Sequence, residues 1–198
     1  ATELNLLDGA TVVIPGKVEG TNFTRSLLVG HSTHGTLSTS TDNTGVGINA
    51  LTSLTIGDYN TALGTYAVNS LTTNRYNTGI GFSSVRNSNG EGNTGLGAFS
   101  LYNTSSGNQN TGIGRRTLVS NNSGDFNTAL GYESGVTMAG EDANYNLTLG
   151  SYSGDNITSG AGNVIIGSVN ATSATADRQL VIAGNDGSTT TTWISGDS

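Results

Sequence analysis

A five-residue segment recurs along the chain at nearly constant spacing, and this repeat constrains the fold more than any other feature. The segments, called pentads below, read SLLVG, NTGVG, NTALG, NTGIG, NTGLG, NTGIG, NTALG, NLTLG, NVIIG and LVIAG. They end at Gly30, Gly47, Gly64, Gly81, Gly97, Gly114, Gly131, Gly150, Gly167 and Gly184. Successive glycines lie 17 residues apart, except for one interval of 16 and one of 19. This period is too short for helical pairs or propeller blades, so it predicts one turn, or rung, of a β-solenoid.

The composition agrees with order by repetition and excludes several classes of partner. The 198 residues include 30 glycines, whereas only 11% are charged and 6% are aromatic. With a net charge of −7 and only seven Lys and Arg, the sequence has no basic stripe to neutralise phosphates, so we expect no nucleic-acid partner. The sequence contains no cysteine, no signal peptide and no apolar run long enough for membrane insertion. The first residue is Ala1 rather than Met, which indicates a fragment or a processed product.

Alternation along a strand predicts which pentad positions enter the core. Side chains at positions 2 and 4 share one face, and the side chain at position 3 lies on the other. Position 4 is apolar and position 2 is mostly Thr, so we predict that these two positions face inward. The position-4 residues are Val46, Leu63, Ile80, Leu96, Ile113, Leu130, Leu149 and, in the next repeat, Ile165 or its neighbour.

Position 3 is then predicted to face outward. It is Gly or Ala in six consecutive pentads, and larger at Leu28, Thr148 and Ile165. The small residues are Gly45, Ala62, Gly79, Gly95, Gly112 and Ala129. A strip without large side chains lets another backbone approach closely, so we expect several chains to pack around an axis along this strip.

The residues between pentads predict a second wall and a corner. Four residues after the pentad glycine an apolar residue follows a small one, as in Ala50–Leu51, which indicates a second strand or wall. Further along, Gly or Asn recurs at Gly57, Asn74, Gly90, Gly107 and Gly124. Because Gly and Asn enter the left-handed backbone region at low cost, we predict a corner there. The longest turn, from Gly131 to Gly150, is expected to bulge at MAGEDAN.

Asn at position 1 and Gly at position 5 are shared by six consecutive pentads, and we predict a structural role for both. The pairs are Asn43 and Gly47, Asn60 and Gly64, Asn77 and Gly81, Asn93 and Gly97, Asn110 and Gly114, and Asn127 and Gly131. Stacked at one corner, the Asn amides can hydrogen bond to one another and to backbone groups that the turn leaves free. The same column continues at Asn146 and Asn163.

The repeats resemble those of a known family. NTALGTYAVNSLTTNRYNTGIG and NTALGYESG look like repeats of bacteriophage tail fibre proteins, especially those of marine cyanophages. The opening ATELNLLDGAT is similar to segments of the same fibres. The closing RQLVIAGNDGSTTTTWISGDS is similar to the end of a shaft before a self-cleaving chaperone domain, which the sequence does not include. The pentad is also similar to the head repeat of trimeric autotransporter adhesins.

The resemblance implies a homotrimeric, extracellular fibre shaft of the virion that acts in host attachment beside other tail proteins. The spacing of the pentads itself predicts an all-β chain, a β-solenoid or β-roll of about ten rungs of about 17 residues. Residues 1–25 are predicted as an N-terminal helical or irregular register segment, 26–184 as the shaft, and 185–198 as a tail or exit strand. Thr2 can cap a short helix that Gly9 ends, and a loose terminus is the alternative.

The sequence offers little chemistry, and we predict no enzymatic activity and no catalytic, cofactor or metal site. Glu141 and Asp142 form the one close acidic pair and lie in the longest turn, where a solvated loop is the default. Acids on neighbouring rungs at a glycosidase spacing stay open as an alternative. His31 and His34 are three residues apart, so in a strand they face opposite sides and cannot both reach one axial ion.

Four aromatic residues in register are candidate contacts for host polysaccharide: Tyr66, Phe82, Phe99 and Tyr132. The alternative is that these rings cover the corner between protomers. Besides a fibre or an adhesin head, the sequence raises an ice- or surface-binding solenoid, because Thr44, Thr61, Thr78, Thr94, Thr111 and Thr128 are in register. The predicted inward orientation of these threonines counts against ice binding.

Overall fold

The computed structural model describes residues 16–20, 23–30 and 38–196, and within these ranges the chain forms β-strands and no helix. The strands are β1 (Gly16–Gly20), β2 (Phe23–Val29), β3 (Ser40–Thr41), β4 (Thr44–Val46), β5 (Thr61–Leu63), β6 (Thr78–Ile80), β7 (Thr94–Leu96), β8 (Thr111–Ile113), β9 (Thr128–Leu130), β10 (Leu147–Leu149), β11 (Val164–Ile166), β12 (Leu180–Asn185) and β13 (Thr190–Gly196). The helix predicted between Thr2 and Gly9 and the pair His31 and His34 lie outside the described residues.

The pentads stack as one long parallel sheet. Strands β2 and β4 to β12 follow each other in sequence order, and equivalent residues pair, as Thr61 does with Thr78 and Leu63 with Ile80. These ten strands enclose about nine turns, so the predicted β-solenoid is confirmed. Strands β1 and β13 pair antiparallel with β2 and β12 at the two ends of the stack.

The inward and outward faces of the strands are the reverse of the predicted ones. Position 3 faces the core, because Ala62 and Ala129 are fully buried, whereas Leu63 at position 4 is 49% exposed. The reason lies at position 1, where the buried Asn sets the alternation. In β5 the order is Asn60 inward, Thr61 outward and Ala62 inward.

Position 3 is small because the opposite wall of each rung fills the interior. That wall is fully buried and consists of Leu51, Leu54, Val68, Leu71, Val85, Leu101 and Leu118. A Cβ atom on Gly79 would lie 2.6 Å from Val68 Cγ2, and one on Gly95 would lie 2.7 Å from Val85 Cγ2. The strip of small residues is therefore the floor of the core, and the prediction that it contacts another chain is wrong.

Where position 3 is larger, the opposite wall becomes smaller. Thr148 is fully buried at position 3, and glycines replace the usual apolar wall residue at Gly135 and Gly154. A Cβ atom on Gly154 would lie 2.7 Å from Thr148 Cγ2, and one on Gly135 would lie 3.0 Å from Met138 Cε. The two sides of the core thus compensate in volume, as close packing requires.

The wall and the corner also differ in detail from their predictions. The second wall is not a strand, since its apolar residues adopt the left-handed conformation, with φ of 55° at Leu51 and 47° at Val68. By contrast, Gly57, Gly90, Gly107 and Gly124, like Asn74, do not have positive φ. A Cβ atom on any of these four glycines would run into a backbone carbonyl of the next rung. Glycine is needed there for close approach of rungs, and the predicted left-handed corner is wrong.

The last pentad is shifted by one residue from its predicted frame. Leu180 pairs with Val164, which places Gln179, not Leu180, at position 1 and Ala183 at position 5. The amide Nε2 of Gln179 donates to Asn163 Oδ1 at 3.1 Å, so Gln179 ends the Asn column. Gly184 was therefore assigned to the wrong position.

Candidate functional site

The position-1 asparagines form a buried column that joins neighbouring rungs. Asn60 Nδ2 donates to Asn43 Oδ1 at 3.0 Å and to the Asn74 carbonyl at 3.0 Å, and Asn60 N donates to Asn43 Oδ1 at 2.9 Å. Equivalent bonds from backbone N to the preceding Oδ1 link the other members: Asn77, Asn93, Asn110, Asn127, Asn146 and Asn163. This column has its hydrogen bonds satisfied inside the chain, so it acts in structure rather than in binding.

The position-5 glycines allow the strand to turn directly beneath the next rung. Gly64 has φ of +134°, and a Cβ atom there would lie 2.6 Å from the Gly81 carbonyl oxygen. The same combination holds at the other predicted positions: Gly47, Gly81, Gly97, Gly114 and Gly131. Only glycine combines this conformation with so close an approach.

The parallel sheet has an outer face, which we define as positions 2 and 4 of strands β4 to β12. In its middle part Thr at position 2 alternates with an apolar residue at position 4. Leu63, Leu96 and Leu130 are 49%, 43% and 41% exposed. Toward the C-terminal end position 2 also becomes apolar, at Leu147, Val164 and Leu180. The sheet therefore shows a continuous apolar ladder on its outside.

The four aromatic residues predicted as glycan contacts lie just after the pentads in two adjacent registers, which together we call the wall column. Phe82 and Tyr132 are one residue beyond the pentad glycine, and Tyr66 and Phe99 are two residues beyond it. Phe82 contacts Tyr66 and Phe99 edge to face, with ring centroids 6.3 and 5.2 Å apart. Tyr132 packs in the same way on Tyr152, at 5.3 Å. In an edge-to-face pair the edge of one ring covers a face of the other, so this packing uses part of the surface that could stack on a sugar.

Arginines pack on this column and add polar contacts. The Arg86 guanidinium lies 4.7 Å from the Tyr66 ring centroid and 5.7 Å from that of Tyr102. A shallow groove of about 300 Å³ opens beside Phe99 and Tyr102 and is also lined by Arg116. Arg116 Nε lies 2.9 Å from Glu133 Oε1 and forms an ion pair with it, but the geometry does not meet the requirements of a hydrogen bond.

A second aromatic column, which the sequence prediction missed, lies directly before the pentads. This corner column contains Asp42, Tyr59, Tyr76, Gly92, Gln109, Phe126, Tyr145, Gly162 and Arg178, all with positive φ. Tyr59 and Tyr76 stack face to face, and so do Phe126 and Tyr145. Aligning the repeats at their asparagines would have revealed the column, because each member is the residue before position 1.

Ionisable groups are few and lie at the surface. A bidentate ion pair with Arg25 lowers the pKa of Asp42. A hydrogen bond to Glu133 raises the pKa of Tyr132, and burial and the Glu133 charge act in the same direction. At the β12–β13 turn, hydrogen bonds from the Ser188 and Thr189 amides lower the pKa of Asp186 to about 2.

The acidic residues of the longest turn do not enter its buried part. Glu141 and Asp142 are both exposed in the longest turn, while Met138 of the same turn inserts into the core. No cluster of three or more His, Asp or Glu that could hold a metal ion occurs in residues 16–20, 23–30 and 38–196. Among the same residues, no helix has the length and apolar composition that crossing a membrane requires.

A scan against models of protein families, a search of curated proteins and a search of solved structures each find no match to this chain. The outer face and the two aromatic columns that flank it are the surface features from which a function can be inferred.

Proposed function

We propose that the chain is a shaft segment of a homotrimeric fibre, of the kind used by bacteriophage tails, and that it spaces or presents receptor-binding regions during attachment to a bacterial surface. It would act as an extracellular part of the virion, joined to other tail proteins. The observation that carries the proposal is the outer face, where apolar side chains recur on every rung without a partner in the chain.

The dimensions of the outer face support an interface. Nine turns at about 4.8 Å give a height of about 43 Å, and three strand residues give a width of about 10 Å, so the face covers about 400 Å². A surface of that size with an apolar residue at position 4 of every rung is comparable to the largest patch of a typical monomer, which is often functional. Three chains turned with this face toward one axis would bury all copies in a closed assembly, and cyclic symmetry needs no other partner.

The charge supports a fibre that stays separate from other fibres. Each chain carries −7, so a trimer carries 3 × −7 = −21. The outer face itself contains no charged residue between β4 and β12. Charge therefore does not oppose packing at the proposed interface, while the net charge disfavours aggregation of whole fibres.

Light scattering of the native protein tests the assembly, with the mass of three chains as the expected result. Replacing Leu63, Leu96 and Leu130 together by Asp should give monomers that keep their β circular dichroism. Placing Asp instead at Thr73, Ser105 and Asn122, one residue on each of three rungs away from the outer face, should leave the trimer intact. A monomeric wild-type protein, or a trimer that survives the outer-face changes, would refute the proposal.

One observation favours a second candidate, a surface-binding solenoid such as an ice-binding protein. The structure places Thr61, Thr78 and Thr94 on the outside, so the inward orientation predicted for them is wrong and no longer counts against ice binding. The Thr column is paired with Val, Leu and Ile rather than with a second Thr, and its last member is Thr128 in β9, which favours a protein interface. Clear thermal hysteresis would support the second candidate. An adhesin head would use the same trimer and differ in its site of display.

A further inference from the structure

Two aromatic stacks in the corner column follow the spacing of the rungs. The ring centroids of Tyr59 and Tyr76 are 5.1 Å apart with an interplanar angle of 1°, and those of Phe126 and Tyr145 are 4.9 Å apart with an angle of 2°. Parallel strands are separated by about 4.8 Å, so each ring lies one rung above its neighbour. The column thus presents flat rings parallel to one another.

Each stack ends at a glycine. Gly92 follows Tyr76 on the next rung, and Gly162 follows Tyr145. The second ring of each stack is the more exposed one: Tyr76 is 58% exposed against 46% for Tyr59, and Tyr145 is 64% exposed against 42% for Phe126. The glycine therefore leaves open the ring face that a further aromatic side chain would have covered.

On the rung beyond each glycine the column continues with a long polar side chain. Gln109 lies on the rung after Gly92, and its Cγ would be 3.2 Å from a Cβ atom on Gly92. Arg178 has the same relation to Gly162, at 3.5 Å. Two rungs span about 10 Å, so a ring in van der Waals contact with Tyr76 would take up space into which the Gln109 side chain now leans, and the exposed Gln109 side chain would have to turn outward.

We propose that these two gaps, over Tyr76 at Gly92 and over Tyr145 at Gly162, each bind a pyranose ring of a surface carbohydrate. The inference rests on the proposed role in attachment and names a ligand class for it. A pyranose has an apolar C–H face that stacks on an aromatic ring and a rim of hydroxyl groups. The rim matches the polar groups around the first gap, namely the exposed Gln109 amide and the exposed Glu91 and Arg75 side chains.

The repetition of the gap suits a polymer. Tyr76 and Tyr145 are four rungs apart, or about 19 Å along the stack. The order of residues is the same in both places: two stacked aromatic rings, a glycine and a long polar side chain. A trimer would carry six such gaps, and weak contacts in this number bind a polysaccharide through effective concentration.

The test fills the gaps without changing the backbone. Gly92→Tyr and Gly162→Tyr, made together, extend both stacks at positions where tyrosine already adopts the same left-handed φ, as at Tyr59 and Tyr76. Binding is measured by saturation-transfer NMR with the methyl pyranosides of glucose, galactose and mannose, and with hexasaccharides of the same sugars. We expect at least one sugar to bind the wild-type protein and to bind the filled variant roughly tenfold more weakly, which corresponds to about 1.4 kcal/mol for a stacking contact.

Matched controls remove the other ring of each stack. Tyr59→Ala with Phe126→Ala keeps the open faces of Tyr76 and Tyr145, so affinity should stay within about twofold, a change of only about 0.4 kcal/mol. Tyr76→Ala with Tyr145→Ala should weaken binding as much as filling the gaps does. Light scattering and circular dichroism are recorded for every variant, so that a loss of binding is separated from a loss of structure.

Three results would overturn the inference. The first is that no sugar of the panel binds the wild-type protein, and the second is that the filled variant binds as well as wild type. The third is that filling the gaps dissociates the trimer and no sugar binds, since the gaps would then hold side chains of a neighbouring chain. A monomeric wild-type protein that still binds sugar at Tyr76 would refute the trimeric fibre but support this inference.

Discussion

The inner and outer faces of the same short strands obey different rules. On the inner face, Asn93 is fully buried and hydrogen bonded to the rungs below and above, and Gly95 lies against the opposite wall. On the outer face, Leu96 of the same pentad is 43% exposed and meets no wall of its own chain. The inner face specifies how a rung stacks on the next one. The outer face is not needed for stacking, so its apolar ladder points to a function between molecules.

Register explains why both faces form columns. Equivalent residues pair in every parallel step from β4 to β11, so any residue type repeated at the rung period is brought to one line along the stack. A column of polar groups is stable inside only if each member bonds to the next, as the asparagines do. A column of leucines on the outer face needs no hydrogen bonds between its members, but it exposes apolar area until a partner covers it.

The largest effect is expected from the inner column. Asn93→Ala removes the Oδ1 atom that accepts from Asn110 N at 3.0 Å and the Nδ2 atom that donates to the Gly107 carbonyl at 2.9 Å. Both backbone groups would be left buried without a partner, at about 1–3 kcal/mol each, so we expect a loss of about 4 kcal/mol in the free energy of unfolding. Urea unfolding followed by circular dichroism measures it. Thr94→Ala, the next residue but on the outer face, should cost less than about 0.5 kcal/mol; similar losses for both would contradict the assignment of faces.

The next effect compares an added leucine side chain at position 3, in the core, with one at position 2, on the outer face. Gly95→Leu forces a side chain against Ser84 and Val85 and should cost about 3 kcal/mol, at the upper end of the usual range for overpacking. Thr94→Leu adds a similar volume on the outside, where other rungs already carry an apolar residue at position 2, as at Leu147. We expect it to change stability by less than about 0.5 kcal/mol. Thermal unfolding of the two variants compares them directly. Equal destabilisation would show that position 3 does not face the core.

The solenoid, its period and its wall could be predicted from the sequence, but the direction of the strands' faces could not be read from apolarity alone. Thr and Leu at positions 2 and 4 looked like core because apolar residues usually are buried, whereas here the wall residues such as Leu51 and Val68 already fill the narrow interior. A better signal was present in the volumes. Position 3 is large at Thr148, in the repeats where the wall residue is glycine, and such compensation occurs only between residues that share a core.

The aromatic columns show that surface packing, too, could be predicted only in part from the sequence. The residues of the wall column were predicted because aromatic residues recur with the rung, but the edge-to-face packing of Phe82 and Phe99 depends on rotamers that spacing does not encode. The corner column was missed because Gly92 and Gln109 interrupt its aromatic character. In a parallel stack even an interrupted column stays in line, so the interruption itself becomes a structural feature.

A smaller effect tests the compensation of volumes inside the core. Gly154→Val restores the wall residue found at Val68 and Val85, which have the same left-handed backbone, but places it against Thr148. The single change should cost about 2 kcal/mol through overpacking. Adding Thr148→Gly should recover about 1 kcal/mol of this, a coupling typical of residues in contact. Unfolding of the wild type, both single variants and the double variant gives the coupling. Purely additive costs would mean that these residues do not share the core.

The smallest effect concerns the end of the stack, where β13 is exposed along its whole length and is held by its antiparallel pairing with β12 and by the β12–β13 turn. Asp186 Oδ1 accepts hydrogen bonds from Ser188 N at 2.9 Å and Thr189 N at 2.8 Å, and these bonds lower its pKa from 3.8 to about 2. Because the folded pKa is lowered, the stabilising contribution of Asp186 is complete above pH 3.8 and is lost as the pH falls through about 2.

The inner Asn column has no ionisable group, so we expect acid to loosen the β12–β13 turn while the rungs persist. Amide chemical shifts of Ser188 and Thr189 should titrate together near pH 2, and the titration should be absent in Asp186→Asn. Simultaneous loss of the rung amides, such as that of Asn93, would show instead that the hairpin and the solenoid unfold as one unit.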